Sequence, residues 1–164
     1  FASLVSGGKM SSVFDRLSEL LRQNDIHFDV TRHQPVFTSE EAAQVRGTSL
    51  ASGAKALVCK LDDSFVMFVL PADRKLDSKA VRKQLKARSM RFASRDEVLG
   101  LTGLTPGSIP PFGSLFDLKT YCDERLLQEP LINFNAGHHA ISISMAHLEY
   151  QRVEQPETGL FATG

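Results

Sequence analysis

Lys55 stands in the run Ala54-Lys55-Ala56-Leu57-Val58-Cys59, where every neighbour is apolar. An ammonium leaves water only at a cost unless an anion meets it, so this lysine is a candidate anchor for a phosphate or carboxylate. The alternative is a strand-edge lysine whose stem lies on apolar surface while its head reaches solvent. The loop Gly107-Ser108-Ile109-Pro110-Pro111 offers complementary chemistry. Glycine permits close backbone approach, paired prolines fix a turn, and rigid N–H groups there can polarise a carbonyl as an oxyanion hole does. A plain structural turn is the competing reading.

A third cluster is basic. Between Arg74 and Arg95 the chain carries nine cations against one acid, Asp77, a local charge of +8 in a protein whose net charge is zero. Lys79, Arg82, Lys83 and Lys86 fall at i, i+3, i+4 and i+7, which puts four cations on one helix face. Such a stripe suits a phosphate backbone; a solvated helix face is the alternative.

Other reactive residues lack partners at useful spacing. His138 and His139 are adjacent, with Asn133, Asn135 and Gly137 suggesting a turn around them. They show no recognised metal-ligand spacing with His33 or Asp123, so no metal is expected. Cys59 and Cys122 have neither zinc nor redox-pair spacing, and no base lies near either in sequence. Gly-x-Ser-x-Gly, Walker and dinucleotide fingerprints are absent from the sequence.

The elements that must position these residues follow from periodicity and caps. Val13, Phe14, Leu17, Leu20 and Leu21 predict an amphipathic helix over 11–24. A short strand follows at 27–32, then a helix opened by the Thr38/Glu41 capping box and ended by Gly47. The runs 54–59 and 65–70 read as a buried hairpin around Asp62-Asp63-Ser64. Asp77 caps a helix to about Ala87, Met90 to Ala93 forms a short strand, and Ser94 with Glu97 opens another helix. Residues 102–113 hold three glycines and three prolines, which no regular element tolerates. Strands are expected at 116–121, 131–134 and 140–145, with a last helix near 146–151.

A chain of 164 residues suits one core. The expected fold is mixed α/β (α+β): a mixed sheet or barrel of six to seven strands flanked by helices. Residues 1–9 lack periodicity and read as a tag or leader outside a single domain spanning 10–164. The two cysteines point to a reducing, cytoplasmic setting, and no apolar run is long enough to span a bilayer.

Taken together, Gly53-Ala54-Lys55-Ala56-Leu57-Val58-Cys59-Lys60, the loop from Gly107 to Gly113, and Phe134-Asn135-Ala136-Gly137 resemble, in order, the YbaK/ProX family of aminoacyl-tRNA deacylases. The first stretch and the Ile-Pro-Pro-Phe ending look most like the YeaK-like branch, associated with removing serine or threonine from mischarged tRNA. The likeness runs from about Ser11 to Glu157.

That resemblance implies a barrel-like α/β domain acting in trans, without a cofactor, on tRNA released by a synthetase. Lys55 matches the family's lysine, which engages the phosphate of the terminal adenosine. Gly107, Ser108, Ile109 and Pro111 match its Gly-x-x-x-Pro loop, whose backbone holds the substrate carbonyl, with Pro110 beside them. Asn135, Gly137 and His138 match a region bordering the terminal nucleotide. Alanine-directed members carry asparagine after the lysine, where this chain has Ala56, which argues against alanine. Phe37, Thr38 and Met67 are the candidate pocket-lining residues. The partners implied are mischarged tRNA and an aminoacyl-tRNA synthetase. The alternatives are a non-catalytic module that grips tRNA or a synthetase, and an editing domain cut from a larger synthetase.

Overall fold

The computed structural model describes residues 11–163; the expected leader at 1–9 lies outside them. The first helix, α1 (Val13–Gln23), begins where Ser12 and Asp15 form a reciprocal capping box and ends at Asn24. Its apolar stripe buries Leu17 and Leu21 completely, so the helix is held by packing rather than by intrinsic propensity. β1 (Phe28–Arg32) follows. In α2 (Ser39–Arg46), the Thr38 hydroxyl accepts from the Glu41 N–H, the Glu41 carboxylate reaches back to the cap, and Gly47 closes the helix at φ 70°. Both ends fall where the cap residues predicted them.

β2 (Ala54–Leu61) and β3 (Ser64–Pro71) pair antiparallel with Leu61 opposite Ser64, leaving Asp62 and Asp63 as a two-residue turn. The Asp62 carboxylate accepts the N–H groups of Arg88 and Ser89, fastening that turn to the stretch after α3 (Ser78–Leu85). β4 (Met90–Phe92), α4 (Arg95–Thr102), β5 (Lys119–Asp123), β6 (Leu131–Asn135), β7 (Ile141–Ala146), α5 (His147–Glu154) and β8 (Glu157–Gly159) complete the order.

These strands form two sheets, β1-β7-β6 and β4-β2-β3-β5-β8. The expected barrel of six to seven strands is corrected here: eight strands are described, and neither sheet closes on itself. The eighth, β8, is three residues long and pairs parallel with β5; it is too short to show a period of two. Phe116, expected to start a strand, ends a single 3-10 turn (Gly113–Phe116), and the strand begins only at Lys119. A Cβ on Gly113 would overlap Thr120 and Leu118, so the chain folds tightly back on itself at this point.

Strand alternation divides the core. Ala54, Val58, Met67 and Val69 face a large cluster that also holds Leu17, Phe112, Phe134 and Tyr150. Cys59, Val66, Phe68 and Leu70 face a smaller one closed by Val81 of α3 and Phe161. Each face therefore has its own cover, which explains why both strands read as continuous apolar runs. The two sheets touch where Gly53 bridges to Asn133 and the Asn133 amide donates to the Ser52 hydroxyl at 3.0 Å. Among the described residues no helix is long and apolar enough to cross a membrane.

Candidate functional site

A cleft of about 170 Å³ opens beside the seam between the sheets. Its walls come from α2 and the residues just before it, the first half of β2, the end of β6 and the loop after α4. Phe37, Thr38, Lys55, Gly107, Ile109 and Asn135 all line it, so the fold gathers residues almost a hundred positions apart.

Lys55 lies near the start of β2, opposite Leu70. It shares the strand face of Leu57 and Cys59 but stands beyond the apolar cluster, partly exposed to the cleft. Among the described residues its ammonium makes neither an ion pair nor a hydrogen bond. Burial pulls its pKa below the ordinary lysine value; Asp73 and Glu40 partly oppose that shift, and Lys75 adds to it. A charged donor with no fixed partner in a cleft is a candidate anion site.

The loop at 107–111 is held from several sides. The Asn135 side-chain amide donates to the Gly107 carbonyl at 2.7 Å, the Gly137 N–H to the Ser108 carbonyl at 2.9 Å, and the buried Tyr150 hydroxyl to the Pro111 carbonyl at 2.7 Å. Gly107 has φ 93°, a conformation that side chains disfavour, and a Cβ there would sit 3.5 Å from the His139 ring. Of the five residues, Pro110 and Pro111 have no N–H, and the Ser108 N–H turns back to the Thr105 carbonyl at 3.3 Å. The N–H groups of Gly107 and Ile109 donate to nothing among the described residues. They are the two donors of this loop that no described residue takes up, and both residues line the cleft.

Arg46, at the last turn of α2, was not singled out by the sequence. It lines the cleft and donates from Nε to the Ser142 hydroxyl at 2.8 Å and from Nη2 to Asn135 Oδ1 at 3.0 Å. Burial lowers its pKa to about 10, and it forms no ion pair among the described residues. Nothing local could have marked it, because an arginine in the last turn of a helix usually answers the helix dipole.

Several expected residues lie elsewhere. Met67 is fully buried in the main core and does not reach the cleft, because the period of two sends it to the face shared with Val69. Pro110 and Pro111 are buried behind the loop and shape it without lining the cleft. His138 is exposed, its Nδ1 accepting from the Ala140 N–H. His139 packs beside the cleft: its ring lies tilted 36° and 4.6 Å from that of Phe37, and it pairs with Thr105 Oγ1 at 3.1 Å and the Val36 carbonyl at 3.1 Å. His33 is taken up separately by Ser142 and the Gln34 carbonyl. Asp123 is buried, accepting the N–H groups of Phe161 and Ala162. Among the described residues no three His, Cys, Asp or Glu side chains converge as metal ligands. Lys79, Arg82, Lys83 and Lys86 are all exposed; Lys86 terminates α3 at φ 55° instead of continuing its face.

Fold and cleft together define a class: an α+β domain whose cleft offers a small ligand a lysine ammonium that no described residue pairs and two free main-chain donors of one loop. Burial raises both thiols to about 12, which removes the cysteines as nucleophiles. Residues 33–153 match the aminoacyl-tRNA editing domain family, and the chain belongs to that family.

Over 154 residues the chain is 36% identical to the multifunctional Ser/Thr-tRNA deacylase ProXp-y of Escherichia coli, covering 91% of this chain and 92% of that protein. A proline–tRNA ligase of Shouchella clausii is 34% identical over 109 residues, covering 65% of this chain and 19% of the ligase. A crystal structure described as a candidate trans-editing enzyme for prolyl tRNA synthetase superposes with a TM-score of 0.83. At 24% identity, with 94% of this chain and 99% of that one covered, it shares the fold.

Proposed function

We propose that this chain is a trans-editing deacylase that hydrolyses the ester joining serine or threonine to a tRNA charged with the wrong amino acid. The observation that carries the reading is the meeting, in one cleft, of the unpaired Lys55 ammonium with the free N–H groups of Gly107 and Ile109. An aminoacyl ester is already activated, so the site needs a positioned water more than a strong nucleophile. Water adds to the ester carbonyl carbon, and the oxyanion that forms takes hydrogen bonds from the loop. The intermediate then collapses, the terminal ribose oxygen leaves with a proton, and free amino acid and tRNA result.

In this reading Lys55 holds the phosphate of the terminal adenosine and the substrate's own hydroxyl orients the water. Phe37 and Thr38 border the acyl group. Asn135, Gly137 and His138 belong to the side where the terminal nucleotide lies. The Ser/Thr preference is supported by the substrate named for the Escherichia coli relative and by Ala56 after the lysine. The exposed cations Lys79, Arg82, Lys83 and Lys86 meet the tRNA backbone. A synthetase is the partner whose products are corrected.

The test is a deacylation screen over Ser-, Thr-, Ala- and Cys-tRNA, with Lys55→Ala as control. Hydrolysis of Ser- or Thr-tRNA that disappears in the variant is the expected result. Hydrolysis indifferent to Lys55→Ala removes that residue from the mechanism. Binding of tRNA with no hydrolysis of any substrate replaces the enzyme with a binding module.

A further inference from the structure

We infer that Arg46 is a positioning residue for the carbonyl-binding loop and that it acts through Asn135, an inference that rests on the deacylase reading above. Three contacts carry it. Arg46 Nη2 donates to Asn135 Oδ1 at 3.0 Å, Asn135 Nδ2 donates to the Gly107 carbonyl at 2.7 Å, and Arg46 Nε donates to the Ser142 hydroxyl at 2.8 Å. They tie α2, β6 and β7 to Gly107, whose N–H is one of the loop's two free donors.

The polarity of the chain explains why a guanidinium stands at its head. An arginine can only donate, so whatever faces it must accept. That requirement turns the Asn135 amide with its oxygen toward Arg46 and its nitrogen toward the Gly107 carbonyl. On the other branch, the His33 Nδ1 lies 2.7 Å from the Gln34 carbonyl and so carries the proton. The His33 Nε2 then accepts from the Ser142 hydroxyl at 2.8 Å, leaving a Ser142 lone pair for Arg46 Nε. Both branches end on main-chain carbonyls, and each of their hydrogen bonds sets a donor against an acceptor. Without the guanidinium, only the Gly107 carbonyl and a long 3.5 Å contact from the Ser142 hydroxyl orient the Asn135 amide, which can then swing away from the loop. The loop then loses the anchor nearest its free N–H.

The fork matters as much as the charge. Two acceptors on different strands are spanned by the planar guanidinium, whereas a lysine ammonium is a single point on a flexible stem. Arg46→Lys therefore keeps the charge and loses the geometry.

The experiment compares Arg46→Met, Arg46→Lys, Asn135→Ala and the Arg46→Met/Asn135→Ala double variant, each held well below its unfolding temperature, with Ser- or Thr-tRNA as substrate. Two readouts are taken: steady-state kinetics, and hydrogen exchange at the Gly137 N–H, which the Ser108 carbonyl protects. Expected are a kcat lowered roughly tenfold to hundredfold with KM little changed, an Arg46→Lys variant no better than Arg46→Met, and a double variant no worse than the poorer single. The Gly137 amide should exchange faster in both Arg46 variants while the β7 amides keep their protection. Wild-type kcat in Arg46→Lys would mean that charge alone matters and overturns the inference. So would losses that multiply in the double variant, or a raised KM at unchanged kcat, which marks direct contact with substrate. If the wild-type chain hydrolyses no aminoacyl-tRNA, the deacylase reading falls by itself, and Gly137 exchange alone decides the inference: unchanged exchange sinks it.

Discussion

The hydroxyl of Tyr150 donates to the carbonyl of Pro111 at 2.7 Å, and both residues are buried. The phenol is enclosed completely, which drives its pKa well above the ordinary tyrosine value and keeps it a donor at any working pH. Through this bond α5, almost forty residues further along the chain, supports the back of the loop whose front faces the cleft. Tyr150→Phe removes the donor and leaves the Pro111 carbonyl buried without a partner. The expected cost is about 1–3 kcal/mol of stability, measured by chemical denaturation, together with a lower kcat at unchanged KM.

Lys55 makes a separable prediction about stability. Its folded pKa lies below the unfolded value, chiefly because of burial. Between those two values the unfolded chain binds more protons, so stability rises with pH through that window and the full penalty applies below it. Lys55→Met should therefore be at least as stable as the parent at pH 7 while losing deacylation. The gain should shrink as pH climbs toward 10.5. Denaturation midpoints at several pH values, compared between the two proteins, decide it; a variant destabilised at neutral pH would show that the ammonium has a favourable partner.

Gly107→Ala tests the loop from its other side. The residue sits at φ 93° with room for a methyl group 3.5 Å from His139, so the cost is conformational and not a clash. A side chain in a left-handed conformation costs about 1–2 kcal/mol. The backbone can relieve that strain only by turning the Gly107 N–H. Activity should fall more than stability does, as read by kcat beside the unfolding midpoint.

Neutralising Lys79, Arg82, Lys83 and Lys86 together should weaken tRNA binding and flatten its dependence on salt. Each lost phosphate contact lowers the slope of log K against log salt by roughly 0.7 to 0.9. Filter binding from low to moderate salt measures it. An unchanged slope would assign the four cations to solvent.

Both thiols are buried and pushed up to about 12. Native protein should resist iodoacetamide at pH 8 and keep full activity, whereas protein unfolded in urea should take up two labels, counted by mass spectrometry. Rapid labelling of the native state would place one thiol in a far more open site than its core position allows.

The sequence by itself determined the local structure and the suspicion attached to Lys55. Thr38 with Glu41 and Ser94 with Glu97 set two helix starts, because a capping box is complete within four residues, and the apolar spacing from Val13 to Leu21 set the first helix. The β2–β3 hairpin was equally legible, since its apolar runs and its turn are contiguous. An ammonium in an apolar strand is conspicuous for the same reason: its anomaly is measured against its own neighbours.

Only the tertiary structure decided what surrounds that lysine. Arg46 meets Asn135 and Ser142 across 89 and 96 residues, and Asn135 meets Gly107 across 28. Such contacts depend on how two sheets sit against each other, which periodicity does not encode. Met67 entered the core, and His139 rather than His138 packs on Phe37, because single-residue changes in facing follow from register and turn geometry. β8 owes its place to the parallel pairing with β5 and to Asp123, whose carboxylate captures the N–H groups of Phe161 and Ala162 just beyond it. A buried carboxylate and a three-residue strand gain meaning only once the chain has brought them together.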